Sequence, residues 1–323
     1  MVRHVRWYFN VSRWRPTRDE WLRLTASVAE DEVSRINRFH YQDDAKSSLI
    51  GRALIRKFVS QATGRPSSEL VLTRNPHGRP EVCKEYTSQL VDGWPGMLDF
   101  NVSHSGDHCV LAGFWLNNYK RDETTVTTTG NGQQPLSVGV DVTKIVRKKD
   151  KAELDRFLSL MSRREFTPAE WDTVERAPSD RQKCINFTRL WCLKESFIKS
   201  IGLGLSFKLN RIEFKPSDEL RYNLRVEELR NKTISDTKVI LDGQLASDWQ
   251  FLETALDDEH LVAVGYNSTL TSQTHLSRPE FDLDLERPFV ELDIQSLLEG
   301  LSPIWEANEE IWGKFSSQRE KFF

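Results

Sequence analysis

The 323-residue chain contains no apolar run approaching the roughly 20 consecutive residues that a membrane-spanning helix requires. Its opening, MVRHVRWYFNVSRWRP, lacks the apolar stretch of about 7–15 residues that marks a secretory leader. Four cysteines, Cys83, Cys109, Cys184 and Cys192, include no CxxC pair, and no His and Cys share zinc spacing. Cys109 and Cys192 sit in apolar runs, the setting of reduced, buried thiols. A formal net charge of -3 provides no general attraction to nucleic acid or anionic lipid. There is no GxxxxGK[ST] loop and no set of kinase motifs. These absences leave a reduced, cytosolic globular protein as the expectation, with no nucleic-acid or membrane partner. What is present in quantity is core material. Ten Trp and 17 Phe are enough to build cores without disulfides.

Apolar periodicity predicts the elements. Arg6 to Val11 reads as a strand, Arg18 to Asn37 as a helix, and Asp43 to Gln61 as a second helix stopped by Gly64 and Pro66. Strands follow at Leu70 to Thr73, Leu98 to Val102 and Cys109 to Trp115. Residues 117–135 are polar, Thr/Gly/Gln-rich and aperiodic, as expected of an insertion or linker. Ser137 to Val142 then reads as a strand and Lys151 to Met161 as a helix. Thr167-Pro168-Ala169-Glu170 has the pattern of an N-cap, an N1 proline and an acidic first turn. A long helix is expected from about Arg181 to Ile201, closed at Gly202 to Gly204. The stretch to Tyr266 is strand-rich, with strands at Arg211 to Phe214, Lys238 to Leu241 and His260 to Tyr266. Beyond Asn267 the chain turns polar and charged, with a short helix at Glu291 to Leu298.

Two segments echo each other. Asp107-His-Cys-Val-Leu-Ala-Gly-Phe114 matches Glu259-His-Leu-Val-Ala-Val-Gly-Tyr266 in charge and size. In the same order, Leu54-Ile-Arg-Lys-Phe-Val-Ser60 parallels Leu193-Lys-Glu-Ser-Phe-Ile-Lys199. The expectation is two copies of one α+β unit, at 1–116 and 136–266, with 117–135 between them and 267–323 as an extension. A paired architecture would place a ligand in the cleft between the halves.

The helix Trp191-Cys-Leu-Lys-Glu-Ser-Phe-Ile-Lys199 carries the most chemistry. Glu195 and Lys199 are four residues apart and share a face; by themselves they form an ordinary ion pair worth about 0.3–0.5 kcal/mol. Their apolar neighbours argue that the carboxylate is partly covered and requires a partner or a metal. Gly139-Val140-Asp141-Val142 places an Asp among β-formers, either at a solvent-facing edge or as a hard oxygen ligand suited to Mg²⁺. Phe100-Asn-Val-Ser-His-Ser-Gly106 sets a polar run after a short strand and leads into a Gly turn, with His104 either a phosphate donor or a satisfied turn histidine. Arg74-Asn-Pro-His-Gly-Arg-Pro80 is a turn-rich loop whose Arg forks match phosphate geometry. Arg52 on the second helix is a snorkelling side chain or a phosphate contact. No one of these elements is specific; their ordered combination is.

NVSH, then GVD, then WCLKESFIKSIGLGL resembles the 4′-phosphopantetheinyl transferases, in particular the longer animal type with two similar halves, over roughly Val5 to Tyr266. The resemblance implies transfer of the phosphopantetheine arm of coenzyme A to a serine of an apo acyl carrier protein or carrier domain, with 3′,5′-ADP leaving. The implied carriers are of the fatty acid synthase and aminoadipate-reductase kinds, and the implied state is a monomer. It assigns Asp141 and Glu195 to Mg²⁺ on the coenzyme A pyrophosphate. Glu195 or Lys199 would assist removal of the serine proton, and Lys199 would also meet charge on the phosphate. Arg52, Arg74, His77, Gly78, Arg79, Asn101, Val102, Ser103 and His104, together with Asp141, Glu195 and Lys199, would bind coenzyme A. Many members read G-x-D-x-E; here the second acid is Thr143, so a water held by Thr143 or Ser105 would complete the metal's ligands. A binding module that had lost turnover would lack Asp141, Glu195 or Lys199, and none is missing.

Overall fold

The computed structural model describes residues 2–83, 97–116, 136–217, 221–267 and 287–320. The expected linker 117–135 lies outside them, as does 268–286 of the expected extension. The chain divides into two compact units: Met1–Arg121 with Phe289–Phe323, and Asp122–Pro288. Helices and mostly antiparallel sheets occupy both, an α+β composition.

In the first unit, β1 (Val2–Asn10) is followed by α1 (Arg18–Ala26), α2 (Glu30–Ile36) and α3 (Gln42–Thr63). A short hairpin, β2 (Leu72–Arg74) and β3 (Pro80–Val82), leads to β4 (Met97–Ser105) and β5 (His108–Leu116). Strand β5 lies between β1 and β4, with Val5 and Phe100 both paired to Gly113. Gly113 is required because the Phe58 ring from α3 occupies the space a Cβ would fill. The periodicity over Arg18 to Asn37 predicts one helix, and the structure has two. Thr25 and Ser27 turn their hydroxyls back onto Trp21 and Leu24 carbonyls, and the chain breaks at Ser27 with Val28 buried. Such back-bonding competes with helix propagation.

The segment from Phe289 on is part of this unit and contributes to its core. Val290–Glu291 pairs in parallel with β1, and short helices form at Ile294–Leu298 and Glu309–Ser316. Phe315 stacks on Trp21 at 3.7 Å between ring centroids, Trp305 donates to Val28 O, and Leu297 is fully buried. Sparse apolar residues hid this role, because few side chains here carry the burial.

The second unit repeats the plan. It opens with β6 (Ser137–Lys144), α4 (Lys151–Glu165), α5 (Pro168–Glu175) and α6 (Asp180–Ile201). A small sheet of β7 (Ile212–Lys215), β8 (Lys238–Leu241) and β9 (Gln244–Leu245) follows, with α7 (Val226–Asn231) between its first two strands. Strands β10 (Trp249–Ala255) and β11 (His260–Asn267) complete a sheet in which β11 lies between β6 and β10. Its register matches that of the first unit, for Gly139 and Phe251 both pair with Gly265 as Val5 and Phe100 pair with Gly113.

Helices α3 and α6 each have 22 residues, and each ends at a left-handed glycine, Gly64 or Gly202, whose N–H returns to Ser60 O or Ile198 O. Aligning these caps sets Lys57 opposite Glu195 and Phe58 opposite Ser196. The sequence echo, which sets Phe58 opposite Phe197, is therefore one residue out of register in the helix. Apolar residues on adjacent turns match almost equally well, whereas the cap is a single position.

Replacing Phe315 with Ala tests whether the C-terminal segment is structural. Losing a fully buried aromatic costs about 3–5 kcal/mol, and urea unfolding followed by Trp fluorescence should show a loss of that order. A loss below about 1 kcal/mol would mean that the segment is only loosely attached.

Candidate active site

Helix α6 starts at the Ser179 cap, whose hydroxyl accepts from Gln182 N, and runs with all but one stripe of its latter half buried. Between 191 and 200 only Trp191, Glu195 and Lys199 are half-buried. They stand at i, i+4 and i+8, one above another. Their neighbour Lys194 points inward and is 0% exposed. Its ammonium lies 2.9 Å from Glu170 Oε2 and donates to Leu209 O at 2.9 Å and Ile212 O at 2.6 Å, so three strong acceptors meet its three protons. Glu170 also accepts from Thr167 N and Phe214 N, so its first-turn capping box and its buried ion pair are one structure. Burial pushes the Glu170 carboxyl up and the Lys194 ammonium down from their ordinary values, and their mutual contact opposes both.

Strand β6 meets this helix through its alternate residues, Ser137, Gly139, Asp141 and Thr143. A Cβ at Gly139 would run into the Ser196 carbonyl and the Ser200 amide, so glycine lets the helix backbone close on the strand. Ser137 and Ser200 hydroxyls meet at 2.8 Å just beyond this point of closest approach. Two residues past Gly139, Asp141 is 5% exposed. Lys199 Nζ lies 2.6 Å from its Oδ1, the Thr143 hydroxyl donates to its Oδ2 at 2.5 Å, and the Cys192 thiol donates to its carbonyl at 3.2 Å. The Gly-x-Asp spacing thus has a geometric reason: the glycine brings the helix in, and the acid two residues on faces the same way. Of the two readings of Asp141, a solvent-facing edge or a hard oxygen ligand, the first does not hold: its strand is at the edge of the sheet, but the residue is buried.

The Glu195 carboxyl is raised above its ordinary value, first by burial and next by the charge of Asp141, while Lys199 opposes and Glu165 adds. Two hard carboxylates close enough to repel, in a partly dry setting, form a donor set that fits a divalent cation such as Mg²⁺. Thr143 spends its proton on Asp141, so what it retains for a water is lone pairs. Glu165, at the end of α4, was not singled out from the sequence. Its signal there was only an acid in a charged helix, and its proximity to Glu195 is a product of packing.

The first unit groups the remaining candidates. Arg52 Nε lies 2.7 Å and Arg74 Nη2 3.2 Å from the same oxygen of Glu32, on α2. Burial lowers the Arg52 guanidinium from its ordinary value, Glu32 opposing and Arg74 adding. In the β2–β3 turn, Asn75 Oδ1 accepts from His77 N and Arg79 N, Gly78 takes φ +86°, and Arg74 donates to Gly78 O. Arg79 meets a different acid: its Nη2 donates to both carboxylate oxygens of Asp99 and lies within reach of Phe100 O. The expected turn follows at Gly106, but the strand before it is longer than Leu98 to Val102: Asn101 to His104 pair with β5 as far as Ser105, because Cys109 to Ala112 offer a complete partner edge. Asn101 and Ser103 are buried, Val102 is half-buried and His104 is exposed. Glu32 and Asp99, which hold the arginines in place, left no mark in the sequence beyond ordinary acidity.

Two family profiles match this chain: one described as 4′-phosphopantetheinyl transferase, N-terminal, over residues 12–115, and one described as the 4′-phosphopantetheinyl transferase superfamily, over 137–265. Over 318 residues it is 31% identical to the L-aminoadipate-semialdehyde dehydrogenase-phosphopantetheinyl transferase of Homo sapiens, covering 98% of this chain and 92% of the relative. The protein of the same name from Xenopus laevis is 32% identical, with 98% and 93% covered. A 4′-phosphopantetheinyl transferase of Bacillus subtilis is 27% identical over 61% of this chain and 70% of its own. The chain belongs to the 4′-phosphopantetheinyl transferase family. As such a transferase it is an enzyme that moves phosphopantetheine from coenzyme A onto carrier proteins. The N-terminal and superfamily segments of the transferase fall on the two units that carry the repeat. Among the described residues no helix of the transferase is long and apolar enough to cross a membrane.

Lys194→Met keeps the length and volume of the side chain but strands Glu170 without its charge partner. Breaking a buried pair from one side costs about 3–5 kcal/mol. Chemical denaturation should show that loss, and Glu170→Leu on the Lys194→Met background should recover part of it. Additive losses in the double variant would show that the pair is not coupled.

Proposed function

We propose that Asp141, Glu195 and Lys199 form the catalytic centre of this transferase, and that Arg52, Arg74, His77, Gly78, Arg79 and the strand segment Asn101, Val102, Ser103 and His104 bind the coenzyme A nucleotide. The supporting observation is the convergence of two carboxylates and an ammonium from β6 and α6, with Lys199 2.6 Å from Asp141. In this reading the carrier serine attacks the β-phosphate of coenzyme A. A serine–phosphorus bond forms, the bridging P–O bond breaks, and 3′,5′-ADP leaves with the electron pair. Such transfer demands alignment and charge neutralisation more than covalent help. Asp141 and Glu195 are the residues that would hold Mg²⁺, which when bound neutralises charge on the pyrophosphate. Lys199 presents its ammonium to oxygens on which charge develops. The serine proton goes to Glu195, whose proton affinity is raised by burial, or, in the alternative, to Lys199 acting as a neutral amine.

Arg52 and Arg74, already brought together on Glu32, form the phosphate grip. The carriers proposed are acyl carrier protein and carrier domains of the fatty acid synthase and aminoadipate-reductase kinds, the latter suggested by the names of the animal relatives. A monomer suffices, because one chain carries both family segments.

The deciding test incubates the protein with an apo acyl carrier protein, coenzyme A and Mg²⁺ and reads intact mass. The carrier should gain one phosphopantetheine; Glu195→Gln should abolish the gain while the variant stays folded, and EDTA should abolish it for the parent. A Glu195→Gln variant with turnover near the parent's would sink the proposed centre. For the nucleotide site, Arg74→Ala should raise the KM for coenzyme A about tenfold, as expected for a lost charge-assisted contact. An unchanged KM removes the β2–β3 turn from the ligand site.

A further inference from the structure

Asp141 and Thr143 are alternate residues of β6 and project to the same face. The Thr143 hydroxyl donates to Asp141 Oδ2 at 2.5 Å, while Lys199 Nζ lies 2.6 Å from Oδ1. A carboxylate held at one oxygen can still turn about its Cβ–Cγ bond; a donor at each oxygen fixes its plane. The two donors differ in kind. Lys199 is a flexible, half-buried ammonium on the neighbouring helix, and a divalent cation at Asp141 competes with it for the same charge. Thr143 is neutral, β-branched and therefore stiff at χ1, and it sits on the same strand as its acceptor. Its hold on Asp141 survives any rearrangement of Lys199. It also adds no negative charge beside Asp141 and Glu195, which a carboxylate here would do.

We propose that Thr143 is a positioning residue that locks the Asp141 carboxylate in the orientation needed to hold a divalent cation together with Glu195. The inference rests on the reading of Asp141 and Glu195 as the metal-holding pair. Hydrogen-bond partners of metal ligands govern affinity in this way, and losing one typically weakens binding by about tenfold or more.

The test is direct Mn²⁺ binding to the full chain, read from the electron paramagnetic resonance signal of free Mn²⁺. Parent, Thr143→Val, Thr143→Ala, Thr143→Ser and Asp141→Asn are compared. Val keeps the shape of Thr and its strand preference while removing the hydroxyl; Ala is the second deletion, should β6 reject Val. Both should weaken Mn²⁺ binding about tenfold, and Ser should restore it. The Mg²⁺ concentration for half-maximal carrier modification should rise in parallel, with kcat at saturating Mg²⁺ largely kept. If the Val and Ala variants bind Mn²⁺ as the parent does while Asp141→Asn does not, the positioning role is overturned and the metal reading stands. If Asp141→Asn also binds as the parent does, the metal reading itself has failed and this inference falls with it.

Discussion

The side chains of Glu170 and Lys194 are both 0% exposed and lie 2.9 Å apart, and the geometry of the second unit is organised around that contact. Moving two charges out of water costs several kcal/mol per ion unless each is fully met by partners. Here both are met: Lys194 reaches Glu170, Leu209 O and Ile212 O, while Glu170 also takes the amides of Thr167 and Phe214. The start of α5, the middle of α6 and the chain entering β7 are tied at one point. Because Lys194 is adjacent to Glu195, fixing which way Lys194 points also fixes the rotation of α6. That rotation turns Trp191, Glu195 and Lys199 to the one half-buried stripe and brings Lys199 to Asp141.

The first unit keeps the bonds to two carbonyls but not the acids. With the helix caps aligned, Arg56 stands where Lys194 stands, and it donates to Ser67 O and Leu70 O as Lys194 donates to Leu209 O and Ile212 O. In each unit those carbonyls flank a 3₁₀ turn that follows the long helix. The sheet register sets Trp7 where Asp141 is, and the caps set Lys57 and Gln61 where Glu195 and Lys199 are. No carboxylate remains at any of the three positions. One plan thus serves two ends, with arginines gathered by Glu32 and Asp99 in one unit and an acidic pair with its lysine in the other.

Much of this was legible in residues. Thr167-Pro168-Ala169-Glu170 announced a helix start because a capping box is a local hydrogen-bond pattern, and the two long helices announced their ends through Gly64 and Gly202 for the same reason. Asp141 and Glu195 stood out because acids are uncommon beside so many β-formers and aromatics, and Lys199 because it stands four residues from Glu195 on the same helix face. The break at Ser27, the one-residue shift between the helix copies and the continuation of β4 through His104 were not legible. Each depends on which neighbour a hydroxyl, a ring or a strand edge meets after folding. The place of the segment from Phe289 on was missed because its anchors, Leu297, Trp305 and Phe315, are few and lie far in sequence from the first unit's Trp21 and Val28, which Phe315 and Trp305 meet.

Periodicities, caps and the identities of the charged groups are written in the order of residues, because they follow from backbone geometry and side-chain chemistry within a few positions. The family is written there too, in the succession of NVSH, GVD and WCLKESFIK. Other features arise only on folding: that Glu170 serves Lys194, that Thr143 and Lys199 take opposite oxygens of Asp141, and that Glu32 joins Arg52 to Arg74. Those pairings link residues on different elements, or on one face of a strand packed against a helix. Their burial and their distance exist only once the chain has closed on itself.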